Sequence, residues 1–168
     1  MGTETERKFL VVSGEWRKNA KGTLYVQGYI STEKDRTVRV RIAGEEGFIT
    51  IKGAPDASGI SRSEFEYKIP KADAQQMLDT LCHGTKVEKT RYKIPFAGLT
   101  WEVDEFKGAN AGLIVAEVEL PSADHPVTLP PWAGAEVSHD GRYANASLSK
   151  IPYSQWKQDA KKCQTPKR

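Results

Sequence analysis

Cysteine and histidine are scarce in this sequence of 168 residues, which contains two cysteines and three histidines. Cys82 and Cys163 lie far apart along the chain, so they predict neither a disulfide framework nor a zinc site. Two reduced thiols are expected, and with them a cytoplasmic location. The histidines, His83, His125 and His139, fall in predicted turns or at helix ends, where no set of metal ligands accompanies them.

Long apolar runs are absent as well. No stretch approaches the roughly 20 residues that a membrane-spanning helix requires, and charged residues stand where a secretory signal would be apolar. P-loops, HExxH zinc motifs and G-x-S-x-G nucleophile elbows are missing. With 38% hydrophobic and 28% charged residues, the composition predicts a soluble globular domain without a membrane partner.

An excess of one charge sign is also lacking. Twenty-five basic and twenty-two acidic residues give a net charge of +3. Part of the excess comes from a C-terminal tail that contains Lys157, Lys161, Lys162, Lys167 and Arg168. Without that tail the chain is close to neutral, which disfavours nucleic acid as a partner.

Alternation of apolar and charged residues with a period of two dominates the chain, and it is typical of strands with two unlike faces. Val38 to Ile42 alternates aliphatic residues with arginine, and Ala116 to Leu120 alternates them with glutamate. Turns rich in glycine and proline separate such runs. The pattern predicts eight strands, mostly antiparallel, near residues 3–11, 23–32, 36–43, 47–53, 61–69, 86–94, 99–107 and 113–120.

Helical periodicity is confined to short segments. Lys71 to Cys82 follows a proline and has an apolar face, which predicts a helix. Shorter helices are expected over Arg142–Ser149 and Tyr153–Lys162, the latter against the outside of the sheet. The expected organisation is a single domain over residues 1–152, followed by a C-terminal helix and basic tail over 153–168.

Full charges share one face of almost every predicted strand, because residues of equal parity project to the same side. For a single strand, a solvated outer face is the ordinary explanation. The complete set of paired charges is Glu4, Glu6, Lys8, Arg39, Arg41, Lys52, Glu64, Glu66, Lys68, Lys89, Arg91, Glu102, Asp104, Glu117 and Glu119. Like-charged neighbours such as Arg39 and Arg41 repel each other unless an opposite charge lies between them.

A closed barrel with its charged face inward resolves this conflict. The interior of an eight-stranded barrel holds side chains or one small ligand. Carboxylates there would bind divalent cations, and arginine and lysine would bind a polyanion such as polyphosphate. The apolar face would then point outward and be covered by the predicted helices.

The charged residues belong to an ordered series of motifs that matches a known family. Glu4-Thr5-Glu6-Arg7-Lys8 is an ExExK signature, which alone is weak, but further motifs follow it in order. They are Gln27-Gly28-Tyr29, Val38-Arg39-Val40-Arg41, Thr50-Ile51-Lys52, Ser63-Glu64-Phe65-Glu66, Glu88-Lys89-Thr90-Arg91-Tyr92, Glu102-Val103-Asp104, Ala116-Glu117-Val118-Glu119, Asp140-Gly141-Arg142-Tyr143, Asn145 and Leu148. Over residues 2–152 the sequence resembles the CYTH superfamily of triphosphate tunnel metalloenzymes.

The resemblance implies a mainly β fold, an eight-stranded antiparallel closed β-barrel (the triphosphate tunnel) with helices packed outside. It implies hydrolysis of a triphosphate with Mg²⁺ or Mn²⁺ as cofactor. The implied metal ligands are Glu4, Glu6, Glu117, Glu119 and Asp104. The implied phosphate-binding residues are Lys8, Arg39, Arg41, Lys52, Arg91 and Lys150, of which Lys150 would close one tunnel mouth.

Catalytic roles follow from the same resemblance. Lys89 resembles the lysine that orients or activates the attacking water, and Lys8 and Arg41 complete the catalytic set. Arg7 has the opposite parity and is expected to play no part.

Supporting roles are implied for three further residues. Glu64 and Glu66 would bind a second metal or order the basic residues, and the same choice is open for Asp104. Tyr29 would orient a neighbouring lysine or arginine, or would simply pack as a strand aromatic.

The substrate expected from the resemblance is inorganic tripolyphosphate, because the compact length and the Lys89 motif look most like the small bacterial tripolyphosphatases. Nucleoside or thiamine triphosphatase and adenylyl cyclase activities are the enzymatic alternatives. A polyphosphate-binding module and an RNA-binding barrel are the non-enzymatic ones. Trp16 and Trp101 are candidates for a base platform, although packing roles are expected for both. A homodimer is possible by family analogy.

Overall fold

Nine strands and two α-helices form the fold in a computed structural model, which describes residues 2–156. The strands are β1 (Gly2–Val11), β2 (Gly22–Ser31), β3 (Arg36–Ala43), β4 (Glu46–Gly53), β5 (Ser61–Ile69), β6 (His83–Phe96), β7 (Leu99–Phe106), β8 (Ile114–Glu119) and β9 (Ala133–Glu136). The helices are α1 (Lys71–Thr80) and α2 (Asn145–Lys150). Short 3-10 turns cover Glu15–Arg17, Gly108–Asn110 and Gly141–Tyr143.

The eight predicted strands close into an antiparallel barrel. Their order is β5-β4-β3-β2-β6-β7-β8-β1, and β1 pairs back onto β5. The predicted fold class is therefore confirmed. Strand β9 was not predicted, because Ala133 to Glu136 has no β-branched or aromatic residue and too few positions to show alternation.

Strand β1 completes the barrel wall by changing partners along one edge. Its first residues pair with β5, with Glu4 opposite Arg62. Phe9 and Val11 pair with β9 instead. Between them, the backbone N–H of Val137 donates to the Lys8 carbonyl at 2.8 Å. The other edge pairs with β8 throughout the central part of β1.

The outward apolar face is covered from two sides. Helix α1 buries Ala74 and Leu78 against Val40 and Ile42 of β3. A helix thus covers this side of the outward face, as the sequence predicts.

Tryptophans from outside the helices cover the other side. Trp16 in the first 3-10 turn and Trp132 before β9 enclose Trp101, which is 0% exposed. The rings of Trp101 and Trp132 meet edge to face, with centroids 5.7 Å apart. Both candidate platform residues, Trp16 and Trp101, thus pack in a core on the outer face of the sheet.

The helices differ from prediction at their ends. Helix α1 ends at Thr80 rather than Cys82. The predicted helix over 142–149 begins instead with a 3-10 turn, because the Asp140 side chain accepts from the Arg142 N–H and caps that turn. Residues 153–156 are helical, and the rest of the predicted helix Tyr153–Lys162 lies outside the described residues. No helix within residues 2–156 is long and apolar enough to cross a membrane.

Candidate active site

The charged side chains of the barrel converge on an internal cavity of about 270 Å³. Eight strands and the start of α2, with the residue before it, contribute to its lining. The lining residues are Glu4, Glu6, Lys8, Tyr25, Tyr29, Thr37, Arg39, Arg41, Lys52, Arg62, Glu64, Glu66, Lys89, Arg91, Lys93, Glu102, Glu117, Glu119, Ala144, Asn145 and Ala146. All but two of the predicted site residues are therefore brought together, the exceptions being Asp104 and Lys150.

Strand parity explains which residues enter the cavity. Glu4, Glu6 and Lys8 alternate along β1 and point inward together. Arg7 points outward, where its guanidinium donates two hydrogen bonds of 2.8 Å to Glu136 on β9. The predicted exclusion of Arg7 from the lining is confirmed.

A cluster of arginines forms one wall of the cavity. Arg39 and Arg41 share a single carboxylate oxygen of Glu66, at 3.3 and 3.4 Å. The Nε atoms of both arginines are buried without a hydrogen-bond partner among the described residues. Burial, together with the positive charges of Arg39 and Arg91, lowers the pKa of Arg41 to about 10. Positive charge is thus in excess at this wall, and an anion would relieve the excess.

The ring of Tyr25 contacts two arginines that line the cavity, Arg41 and Arg91. The Arg41 guanidinium carbon lies 4.9 Å from the Tyr25 ring centroid, and that of Arg91 lies 5.1 Å from it. Both distances suit cation–π contacts. A ring occupied by two cations in this way is poorly placed to stack on a substrate base.

Three buried side chains, Lys89, Asp104 and Arg91, form a hydrogen-bonded triad beside the cavity. The Lys89 Nζ donates to Asp104 Oδ2 at 2.6 Å, and Arg91 donates to both Asp104 oxygens at 2.7 and 2.8 Å. Asp104 is 0% exposed and does not line the cavity. Of the two roles expected for Asp104, these contacts match the ordering of basic residues rather than metal coordination.

Lys89 is the most deeply buried base of the site, with 1% exposure. Burial and the neighbouring Arg91 lower its pKa to about 8. Its Nζ also donates to Asn145 Oδ1 at 3.2 Å. The Lys89 ammonium therefore lies at the cavity in a position fixed by two hydrogen bonds, and the lowered pKa shows that its charged form is only weakly stabilised.

Carboxylates line the opposite wall, on β1 and β8. Glu4 accepts from Lys52 with both oxygens at 2.9 Å. Burial disfavours the ionised form of Glu117, yet the cations of Lys8 and Arg91 hold its pKa well below the usual value. These two acids are thus already paired with bases of the site.

Of the acids that line the cavity, Glu6 and Glu119 are the two that form no salt bridge with a lysine or arginine within the described residues. Burial and the charges of Glu117 and Glu4 raise the pKa of Glu6 to about 8. The pKa of Glu119 is raised by burial and then by Glu4 and other carboxylates. Acids destabilised by one another are sites where a divalent cation is favoured, and carboxylate oxygens are what Mg²⁺ and Mn²⁺ prefer. The donor set therefore fits such a metal.

The acids do not form a ready-made cage. Within residues 2–156, no three Asp, Glu, His or Cys side chains stand close enough together to hold a metal ion as they are. A metal that uses Glu4 competes with Lys52 for the same two oxygens. Binding of a cation is thus coupled to release of that lysine.

The role expected of Lys150 needs correction, whereas that of Tyr29 stays a prediction. Lys150 is exposed at the end of α2 and lies outside the lining, whereas Ala144 to Ala146 of the same segment are part of it. The Tyr29 hydroxyl accepts a hydrogen bond from Gln27 at 3.0 Å. No hydrogen bond joins Tyr29 to a lysine or arginine within the described part of the chain, and its orienting role stays a prediction.

Sequence reasoning missed several lining residues that parity would have found. Arg62 shares the parity of Glu64 on β5, and Lys93 shares that of Arg91 on β6. Arg62 donates to Glu4 at 3.3 Å. Both were absent from the predicted site because the family motifs did not contain them.

Comparison with known proteins decides which family this arrangement represents. The model of the CYTH domain matches residues 2–154. The chain belongs to the CYTH family. An inorganic triphosphatase from Acetivibrio thermocellus is 48% identical over 158 residues, which cover 94% of this chain and 100% of that protein. An inorganic triphosphatase from Nitrosomonas europaea is 39% identical over 156 residues, covering 88% and 97%.

Solved structures of other proteins share this fold. A crystal structure of an inorganic triphosphatase superimposes with a TM-score of 0.60 at 34% identity, covering 89% of this chain and 95% of that one. A conserved hypothetical protein from Pyrococcus furiosus has a TM-score of 0.57 at 19% identity, covering 71% and 79%. The latter likeness concerns the fold alone.

Proposed function

We propose that this CYTH protein hydrolyses inorganic triphosphate to pyrophosphate and orthophosphate inside its barrel. The observation that carries the proposal is the wall of the cavity where Arg39 and Arg41 face the interior and share a single carboxylate oxygen of Glu66, too little negative charge to balance them. The curated relatives at 48% and 39% identity, both inorganic triphosphatases, support the same substrate. A slender polyanion suits a bore of this size better than a bulky one.

Phosphate oxygens are bound by the arginine wall and by the lysines beside it. Guanidinium groups bind phosphate through two parallel hydrogen bonds, which gives Arg39 and Arg41 a geometric preference for it. Lys8, Lys52 and Arg91 add positive charge from the neighbouring strands. Lys150 is left out of this set, since its side chain lies outside the cavity.

Carboxylates of β1 and β8, namely Glu4, Glu6, Glu117 and Glu119, would hold a divalent cation, Mg²⁺ or Mn²⁺. Such a cation neutralises phosphate charge and orients the phosphate oxygens when it is bound. Glu6 and Glu119 gain most from it, because neither forms a salt bridge with a lysine or arginine among the described residues and the pKa of each is raised. The choice between the two metals is a question for titration.

The reaction is an in-line displacement at the terminal phosphorus. A water oxygen forms the new P–O bond, the bridging P–O bond breaks, and pyrophosphate leaves with the electron pair. The water loses its protons to the surrounding solution or to the product phosphates. Lys89 lies deepest in the cavity, where its ammonium orients the water or stabilises charge on the transferred group. Arg41 neutralises the same group from β3.

A substrate panel separates this proposal from the alternatives. Tripolyphosphate, ATP and thiamine triphosphate are incubated with Mg²⁺ or Mn²⁺, and products are resolved by ³¹P NMR and chromatography. The proposal expects orthophosphate and pyrophosphate from tripolyphosphate at the highest kcat/KM. Preferred formation of ADP, thiamine diphosphate or cyclic AMP would replace it with the corresponding alternative. Binding of tripolyphosphate without turnover would indicate a polyphosphate-binding module.

The assembly and location expected from the sequence stay predictions. A homodimer is tested by sedimentation velocity at micromolar concentration, where a monomer of 18.7 kDa and a dimer separate clearly. The cytoplasmic location is tested by cell fractionation.

A further inference from the structure

One end of the barrel interior is closed by apolar residues. Three strand residues with inward parity continue the charged rows: Val87 two positions before Lys89, Phe106 two after Asp104, and Val115 two before Glu117. All three are buried in one cluster. The bore therefore changes from charged to apolar within one pleat repeat at this end.

Helix α2 and the turn before it form a strap across this closed end, here defined as residues 141–150. Leu148 of the strap is 0% exposed and belongs to the same apolar cluster as Val87 and Phe106. A Cβ at Gly84, whose φ is +74°, would lie 2.7 Å from the Ser149 carbonyl oxygen. The strap is thus packed tightly onto β6 as well as anchored in the bore.

The strap presents two oxygen acceptors to the bases of the site. The backbone carbonyl of Tyr143 accepts from Lys8 Nζ at 3.2 Å. The side-chain oxygen of Asn145 accepts from Lys89 Nζ at the same distance of 3.2 Å. Ala144 and Ala146 beside them line the cavity. Each predicted catalytic lysine is thereby held by a segment remote from its own strand.

Asn145 has no structural task that would account for this contact. Asparagine at the start of a helix usually caps it, but here the cap position is Ala144 and no side chain caps α2. Asn145 is the first helical residue, and its side-chain oxygen is directed to Lys89. The residue is therefore placed for the lysine rather than for the helix.

An ammonium group has three N–H donors. Two from Lys89 are taken by Asp104 at 2.6 Å and Asn145 at 3.2 Å. The third has no acceptor among the described residues. Two fixed acceptors define the direction of the third bond, whereas Asp104 alone would leave the ammonium free to rotate.

We infer that Asn145 is a positioning residue, which aims the third N–H of Lys89 at the terminal phosphoryl group or its attacking water. The inference rests on the proposed function for the identity of the group that is met there. The strap holds the Asn145 amide in place, because Leu148 of the same helix is buried in the apolar cluster. Misplacement of a catalytic group by about 1 Å costs on the order of 100-fold in rate.

The test compares three variants: Asn145→Ala, Asn145→Asp and the control Ser147→Ala. Ser147 lies on the same helix and does not line the cavity. Steady-state kinetics on tripolyphosphate should give about a 10- to 100-fold loss of kcat in Asn145→Ala, with KM little changed and an unchanged melting temperature. Asn145→Asp keeps an acceptor of the same shape, so kcat should recover most of the loss while KM rises through repulsion of the polyanion. Ser147→Ala should match the wild type.

A second readout does not require turnover. The ammonium signal of Lys89 in ¹H–¹⁵N spectra of the ligand-free protein should broaden or shift in Asn145→Ala and not in Ser147→Ala. Wild-type kcat in Asn145→Ala, an Asn145→Asp variant no faster than the alanine variant, or an unaltered Lys89 signal would each overturn the inference. A wild-type protein that hydrolyses no triphosphate would instead contradict the proposed function, and the spectra would still decide whether Asn145 holds Lys89.

Discussion

Glu6 on β1 lies directly opposite Glu119 on β8 in the antiparallel ladder. The pKa of each is raised by burial and by other carboxylates, Glu117 and Glu4 for Glu6 and Glu4 for Glu119, and neither forms a salt bridge with a lysine or arginine within residues 2–156. Burial is the largest of these causes for Glu6, since it disfavours the ionised form. The protein thus keeps two destabilised acids at the site where a cation is proposed to bind.

Replacement of Glu6 by glutamine should separate activity from stability. We expect Glu6→Gln to lower kcat/KM by about 100-fold or more, because a metal contributes several kcal/mol to such reactions. The free energy of unfolding of the metal-free protein at pH 7 should rise by about 1 kcal/mol, since an acid whose pKa is raised to about 8 on folding destabilises the fold above its unfolded pKa and glutamine does not. Kinetics with metal titration and urea denaturation in EDTA measure the two effects. Glu33→Gln, an exposed change outside the lining, should alter neither, and a less stable Glu6→Gln protein would contradict the argument.

Arg41 should be irreplaceable by lysine. The loss of one preorganised donor to the transferred group costs about 100- to 1,000-fold in kcat, so Arg41→Ala should fall in that range. Arg41→Lys should recover little, because an ammonium cannot reproduce the paired hydrogen bonds of a guanidinium. Lys71→Ala, which removes an exposed lysine paired with Glu45, is the control and should retain full activity. Full activity in Arg41→Lys would show that only charge matters there.

Asp104 should contribute more to the stability of the fold than to metal binding. Asp104→Asn leaves Lys89 and Arg91 buried without their shared counter-ion, which should destabilise the protein by about 3–5 kcal/mol. Urea denaturation measures this loss in the presence and absence of Mg²⁺. Glu105→Gln, which removes the adjacent and more exposed ion pair with Arg17, should cost about 1 kcal/mol or less. A small loss in Asp104→Asn that appears only with metal present would assign Asp104 to the metal instead.

The outward pair of Arg7 and Glu136 should matter for stability alone, and only above acidic pH. Arg7→Ala should leave kcat/KM within about twofold and cost about 0.2–1 kcal/mol, as expected for an exposed pair. The hydrogen bond from Arg7, aided by Ser138, lowers the pKa of Glu136 from 4.5 to about 2. A depressed carboxyl pKa stabilises the fold above the unfolded value, and this contribution disappears as the pH falls from about 4.5 to about 2.

The difference in stability between wild type and Arg7→Ala should therefore be constant from pH 7 to pH 5 and vanish near pH 2. Denaturation at several pH values checks this course. A difference that grew on acidification would contradict the assigned sign.

The sequence predicts the barrel and most of its lining because both depend on one local property, strand parity. Alternation along β1 is enough to place Glu4, Glu6 and Lys8 inside and Arg7 outside. The same property places Arg62 and Lys93 inside, although neither belongs to the family motifs from which the site was predicted.

Other features of the fold and the site depend on contacts between segments that are distant in sequence, so no local sequence pattern predicts them. Strand β9 forms because β1 has an open edge beyond β5, and its own four residues have little strand propensity. Asn145 and Lys89 are 56 positions apart and become neighbours when the strap closes the bore. Lys150 was assigned from the family resemblance, whereas its exposed place at the end of α2 depends on how the strap packs.

The most direct test of the account is hydrolysis of tripolyphosphate in water enriched in ¹⁸O, followed by ³¹P NMR and mass spectrometry of the products. Water attack on the terminal phosphorus predicts one ¹⁸O atom in each orthophosphate and none in pyrophosphate. Arg41→Ala should slow this labelling by about 100-fold or more. Label in pyrophosphate, or labelling of orthophosphate at the wild-type rate in Arg41→Ala, would contradict attack on a terminal phosphoryl group held by the arginine wall.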